Sequence, residues 1–323
     1  MRPLILALSL LASLATAAAA QAPGWMRAAW PETDFSRVSI DLAEVISGGP
    51  PRDGIPALTN PAFIAVAAEA RLADREPVLS LEIGDVARAY PIRYLMWHEI
   101  ANDTVAGVPV AVTFCPLCNS AVAFDRRVAG ETLEFGVSGL LRHSDMIMYD
   151  RQGFSWWQQF TGEAIVGAAT GQRLTALPSL MESWAAFRDR NPNGRVMDEP
   201  SGWRRSYGRN PYEGYDSGSW PFLYQGETPP HGVAPLARVL RVGARAWPLS
   251  RIAEAGGLTE AGVRITWTPG QASALDAARI GDGREVGDIT VTDAATGAPV
   301  VHEVVFAFAF HAFHPDGAWM LGQ

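Results

Sequence analysis

Lysine is absent from this chain, whose 26 basic residues are all arginine. Without it no Gly-x-x-x-x-Gly-Lys phosphate loop can exist. A hydrolase nucleophile elbow is missing as well: Gly136-Val-Ser138-Gly139 lacks the residue that should separate serine from the second glycine, so Ser138 reads as a turn hydroxyl. Blocks of basic charge are also lacking, and a net charge of −8 spread along the chain argues against a nucleic-acid surface. No apolar run reaches the roughly twenty residues that a bilayer span requires. The longest, Leu4 to Leu14, follows Met1-Arg2-Pro3 and precedes the Ala-rich stretch from Thr16 to Ala22. That is the pattern of a secretory signal, so residues 1–22 are expected to be removed and the mature chain to be periplasmic or secreted, without a membrane span. Only two cysteines are present, and both lie in one motif, Cys115-Pro-Leu-Cys118.

What the chain does have is turn formers and aromatics. Eleven tryptophans favour a β-rich fold. Pro50 to Pro56 is a run of turn residues, Leu42 to Ile46 and Ala62 to Ala70 read as short helices, and Val78–Ile83 with Val86–Tyr90 forms a hairpin across Gly84-Asp85. Pro91 to Ile100 is expected to be a helix carrying His98 and Glu99, and Val108 to Phe114 the strand leading into the cysteines. The segment from Leu240 to Leu249 echoes Ile83 to Ile92, and Val263 to Trp267 echoes Val110 to Phe114, with Thr268-Pro269-Gly270-Gln271 where the cysteine motif stands in the first copy. Val291 to Gly297 is laid over Met148 to Gly153. The expectation is therefore an α+β, β-rich protein of two pseudo-repeated halves. Residues 23–169 form the half with the cysteines, 170–232 an irregular Trp/Tyr/Gly-rich insertion, and 233–323 a degenerate copy that serves as scaffold.

The blocks Trp97-His-Glu-Ile100, Phe114-Cys-Pro-Leu-Cys118, Gly136-Val-Ser-Gly139 and Ser144-Asp-Met-Ile-Met-Tyr-Asp150 resemble, in this order, an exported prokaryotic family catalogued as domain of unknown function 3179. The resemblance runs from Asp53 to Phe310 and implies no activity. It places His98, Glu99, Cys115, Cys118, Ser138, Asp145 and Tyr149 in the signature blocks, and implies that asparagine also occurs at the position of His143.

Two cysteines three apart can close a disulfide, cycle between thiol and disulfide, or hold a metal. So short a loop gives a disulfide its smallest entropic return. The leading expectation is transition-metal binding, zinc or copper, since a knuckle between strands suits paired thiolates. Further ligands are then needed. His98 is the first candidate, with Glu99 or Asp103 orienting its second nitrogen; His143 and Asp145 form the second group, beside Met146 and Met148. The alternative is a thiol–disulfide oxidoreductase with Cys115 as attacking thiolate. No helix evidently follows the motif, which speaks against a thioredoxin fold. A third reading is a ligand-binding cleft lined by Trp156, Trp157, Tyr207, Tyr212 and Tyr215. His302, His311 and His314 lie in or after a run of aromatics near the C-terminus; His311 and His314 could bind metal only if that segment turns helical, and a surface reading is preferred.

Overall fold

Residues 22–322 are described in the computed structural model, which is β-rich with five short helices among those residues. Three five-stranded sheets, one four-stranded and one three-stranded sheet make up most of it. The expected secretory segment lies outside the described residues, apart from Ala22.

The hairpin Pro77–Ile83/Val86–Pro91 leads into the helix Ile92–His98, and the hairpin Ile100–Val105/Val108–Cys115 follows. This order recurs as Arg238–Val242, Arg245–Pro248, the helix Leu249–Ala255, Gly257–Glu260 and Val263–Thr268. In both runs a proline at the end of the strand introduces a helix of 7 residues. Each later hairpin loses two rungs: Ile83↔Val86 through Val78↔Pro91 is six pairs, whereas Val242↔Arg245 through Val239↔Pro248 is four. Deleting rungs in twos leaves every remaining side chain on its original face, because strand side chains alternate with period two.

The correspondence extends beyond the sequence echo. Ser179–Ser183 pairs with Pro77–Ile83 and runs into the helix Trp184–Arg190; Glu303–Phe306 pairs with Arg238–Val242 and runs into the helix Ala307–Phe313. Both helices close on a matching turn, Gly194 N–H to Asn191 O and Gly317 N–H to His314 O, each 2.9 Å. A short parallel strand follows each turn, Arg195–Met197 and Ala318–Trp319.

Several expectations need correction. Asp288–Asp293 pairs with Val263–Thr268 as Ser120–Asp125 pairs with Val108–Cys115, so Val291 to Gly297 does not correspond to the turn after Met148. Ala62 to Ala70 is not a helix: Phe63–Ala65 is drawn into long-range pairing with Arg195–Met197, and one 3-10 turn follows it. Leu42–Glu44 is a 3-10 turn leading into the strand Val45–Ser47. The span 170–232 is regular as far as Met197, and its strands Thr175–Leu177 and Ser179–Ser183 complete two of the large sheets. After Met197 the span is largely irregular.

Candidate metal centre

The cysteine motif is the turn of a hairpin. Cys115 and Ser120 are the last paired residues of Val108–Cys115 and Ser120–Asp125, and Asn119 ends the turn at φ +54°, a left-handed conformation that asparagine tolerates better than most residues. Asn119 N–H donates to Pro116 O at 3.2 Å, closing the loop. The second run of elements holds this turn from outside. Phe306 N–H donates to Cys118 O at 3.0 Å, Asn119 Nδ2 to Val304 O at 2.6 Å, and Ser120 Oγ to Glu303 Oε2 at 2.5 Å.

Asp145 reaches the cysteines from a different hairpin. Phe135–Arg142 and Asp145–Asp150 are joined by His143-Ser144, both at positive φ (52° and 61°), as a two-residue turn of this twist requires. Neither residue is glycine, and each left-handed residue costs about 1–2 kcal/mol. Placed there, the Asp145 carboxyl accepts from Cys118 Sγ at 2.9 Å through one oxygen, and from Gln158 Nε2 (2.7 Å) and Phe160 N–H (2.9 Å) through the other. Cys115 Sγ lies 3.8 Å from Ser144 O. One ligating atom from each of Cys115, Cys118 and Asp145 lies within 4.8 Å of the other two, and all three residues are buried.

Burial governs the acidity of this cluster. It raises the thiol of Cys115 and raises that of Cys118 well above the ordinary range, with the neighbouring thiol and the Asp145 carboxyl adding to the effect on Cys118. The Asp145 carboxyl is pushed up to about 6 by burial, against its hydrogen bonds. Glu99, raised to about 8 by burial and then by the Asp145 charge, faces a cavity of about 80 Å³ together with Cys115, Leu117, Val137, Met146 and Tyr212. Five other buried carboxylates pair with arginines: Glu76 meets Arg93, Asp103 meets Arg88, Glu182 meets Arg190, Asp216 meets Arg238 and Glu303 meets Arg241. Two more are held by neutral donors, Asp150 by Trp157 Nε1 and Gly153 N–H and Asp288 by Ser183. Asp145 meets neutral donors only, and Glu99, 8% exposed, has no hydrogen-bond donor among the described residues.

His98 is not brought to the cysteines. Its Nδ1 lies 2.7 Å from Pro56 O and its Nε2 2.7 Å from the Tyr207 hydroxyl, so both nitrogens are engaged, and burial lowers its pKa. The helix ends at His98, and the reversal at Glu99 turns the following side chain, not the imidazole, toward the motif. Nor does Glu99 or Asp103 orient His98, since Asp103 is bound by Arg88 and Tyr90. His143 faces Glu44 (3.4 Å) and Phe313 instead of the thiols. Its place is set by backbone conformation, which also accounts for the asparagine that the resemblance implies there. Met146 borders the cavity, while Met148 lies in the core opposite Trp157. Ser138 is the hydroxyl of a β-bulge, bonded to Ile147 O and Leu140 N–H, and Tyr149 binds Asp53 and Arg151. Trp156 and Trp157 are fully buried and cannot line a cleft. His302 is buried, and His314, half-buried, stands 3.2 Å from Arg241, so neither is a free surface group. A cleft of about 590 Å³ between Glu131, Gln152 and Gln172 includes none of the candidate residues.

Residues 52–317 match the family described as Protein of unknown function (DUF3179). The chain belongs to this family. The DUF3179 region thus spans both runs of elements, the cysteine turn and the Asp145 hairpin. No curated protein and no solved structure matches the chain. The sequence alone makes Asp145 a candidate, whereas it offers Glu99 only as an orienting partner of His98. The only local signal for its role is a long acidic side chain at a helix C-terminus, where the chain reverses in a conformation that favours glycine.

Proposed function

We propose that Cys115, Cys118 and Asp145 bind a divalent transition metal, zinc foremost, in an exported protein. The observation that carries this reading is two thiols and a carboxyl within 4.8 Å of one another, buried and with no cationic side chain among their partners. Buried acids are costly unless something compensates their charge. A divalent ion would deprotonate both thiols and satisfy the carboxylate, with Gln158 and Phe160 orienting Asp145 from behind. A carboxylate beside two sulfurs favours zinc over Cu(I), for which softer ligands are preferred. An oxidising compartment adds to the case, because adjacent thiols persist there when a metal holds them.

A second reading rests on the Cys118–Asp145 hydrogen bond, which suits proton transfer from thiol to carboxylate during disulfide exchange. Burial and raised thiol pKa values count against it, since exchange needs an accessible thiolate. We read the two runs of elements as copies of one unit, of which only the first is armed. In the second, Thr268 and Asp288 occupy the rung of Cys115 and Ser120, and no counterpart of the Asp145 hairpin intervenes.

The test is elemental analysis with thiol titration on protein purified without chelator or metal-affinity tag. One equivalent of zinc, thiols that alkylate only after chelation, and loss of metal in Cys115→Ser/Cys118→Ser are expected. Metal-free protein containing a Cys115–Cys118 disulfide would overturn the reading in favour of exchange.

A further inference from the structure

We propose that the metal site keeps an open fourth position facing the cavity, and that Glu99 is the base that takes a proton from the water bound there. The proposal rests on the metal reading above and extends it from binding to catalysis. Three side chains supply ligands from two hairpins, as in catalytic zinc sites, where three protein ligands leave the fourth position to water or substrate. Structural sites close the set with a fourth protein ligand. Here the acidic side chain on the cavity that Cys115 borders is Glu99, buried and without a donor of its own.

The second run of elements supplies an internal comparison. Glu99 and Gly256 both cap a helix of 7 residues that follows a proline, and both adopt positive φ, 58° and 66°. Glycine takes this conformation without penalty, whereas a residue with a side chain is strained. The unit without cysteines has glycine there, and the unit with them has a buried glutamate. Strain and desolvation coincide at the one cap whose side chain reaches the cysteine cavity.

The cavity also limits the substrate. About 80 Å³ holds a compound of a few heavy atoms, and walls made by Ile55, Leu117, Val137 and Met146 are apolar. The Glu99 carboxylate on the wall would repel an anion, so the chemistry fits a small uncharged carbonyl compound. In the step, one O–H bond of the metal-bound water breaks and its proton passes to the Glu99 carboxylate. The oxygen forms a bond to the carbonyl carbon, and the π pair moves to the carbonyl oxygen. In the return step Glu99 gives its proton to the former carbonyl oxygen and takes that of the other hydroxyl. The bond from carbon to the labelled hydroxyl breaks as the carbonyl re-forms, and the label passes to solvent with no other reactant.

The experiment uses the full mature chain loaded with zinc or cobalt(II), with imidazole as a neutral probe of the cobalt position and 18O-labelled acetone as the carbonyl. Expected are one equivalent of metal, a cobalt spectrum that shifts on adding imidazole, and accelerated loss of 18O. Glu99→Gln and Glu99→Gly should both retain the metal while exchange falls by roughly 10²-fold. Glu99→Gly, which the cap conformation accommodates, should recover part of the rate with added formate. Loss of metal in both variants together with an unresponsive cobalt spectrum would make Glu99 a fourth ligand and overturn the open position, leaving the metal reading intact. Exchange equal to that of wild type in metal-loaded Glu99→Gln would overturn the role of the base. Failure of the wild-type chain to take up metal would remove both.

Discussion

At Glu99, a single side chain makes the metal-free protein sensitive to pH in an unusual direction. Its folded pKa of about 8 exceeds the ordinary value of 4.5, because burial penalises the charged form. Its contribution to stability is therefore fully present below about pH 4.5 and is lost as pH rises through about 8, by about 2–5 kcal/mol. Asp145, raised to about 6, adds to this fall, while burial lowers His98, His143, His302 and His314 and gives the opposite slope below about pH 6.5. Denaturant unfolding of the chelated protein between pH 6.5 and 8 should therefore show wild type losing stability relative to Glu99→Gln as pH rises. A difference between the two that does not change with pH would mean that the carboxylate is compensated in a way the contacts do not show. His143 offers a contrasting case. Because the turn needs a left-handed residue there and the imidazole makes no contact with the thiols, His143→Asn should preserve metal content and raise stability by roughly 0.5–1 kcal/mol. Loss of metal in that variant would restore a ligand role for His143.

Among the elements, the cysteine turn shows what a local pattern can and cannot reveal. The strand before the motif, the hairpin at Gly84-Asp85 and the short helix after Pro91 were legible because alternation, turn chemistry and the proline all act within a few residues. The strand Phe63–Ala65 was not, since its apolar run suits a helix equally well and distant pairing with Arg195–Met197 decided the outcome. The meeting of Asp145 with Cys118 is likewise nonlocal. It depends on the hairpin inserted between Ser120–Asp125 and Ser179–Ser183, which no spacing within the motif encodes. His98 failed as a ligand for a local reason: the reversal at Glu99 sends adjacent side chains to different surroundings. The turn itself hangs on Asn119, whose left-handed backbone and bond to Val304 O are separable. Asn119→Gly should keep the conformation and lose the bond, costing about 1 kcal/mol, while Asn119→Ala should lose both and cost about 2–3 kcal/mol. Zinc affinity measured by chelator competition should fall in the same order; equal affinities in the two variants would show that the turn does not depend on this residue.

For the whole molecule, the question is what the second run of elements, which has no cysteines, does for the first. The contacts answer through the site's support: Phe306, Val304 and Glu303, on one strand of the second unit, hold Cys118, Asn119 and Ser120 of the first. Reciprocally, Asp288 of the second unit accepts from the backbone and hydroxyl of Ser183 in the first. Each run thus hydrogen-bonds to an edge of the other, and the cysteine loop lies at one of these junctions. Glu303 is the most telling residue, because it joins Ser120 across the junction to Arg241 within its own unit. Glu303→Gln leaves a largely buried arginine without its counter-charge and should destabilise by about 3 kcal/mol, whereas Ser120→Ala removes one hydrogen bond and should cost about 1 kcal/mol. If the junction shapes the metal site, binding and stability are linked. Zinc at about a hundred times its dissociation constant adds roughly 2.7 kcal/mol to folded wild type, which raises its melting temperature by roughly 5 °C. The zinc-induced rise should shrink in Glu303→Gln at the same zinc concentration and vanish in Cys115→Ser/Cys118→Ser. Scanning calorimetry with and without zinc reads both effects. A full zinc-induced rise in Glu303→Gln would mean that the second unit supports the fold but not the metal, and that the two cysteines and Asp145 are held by the first unit alone.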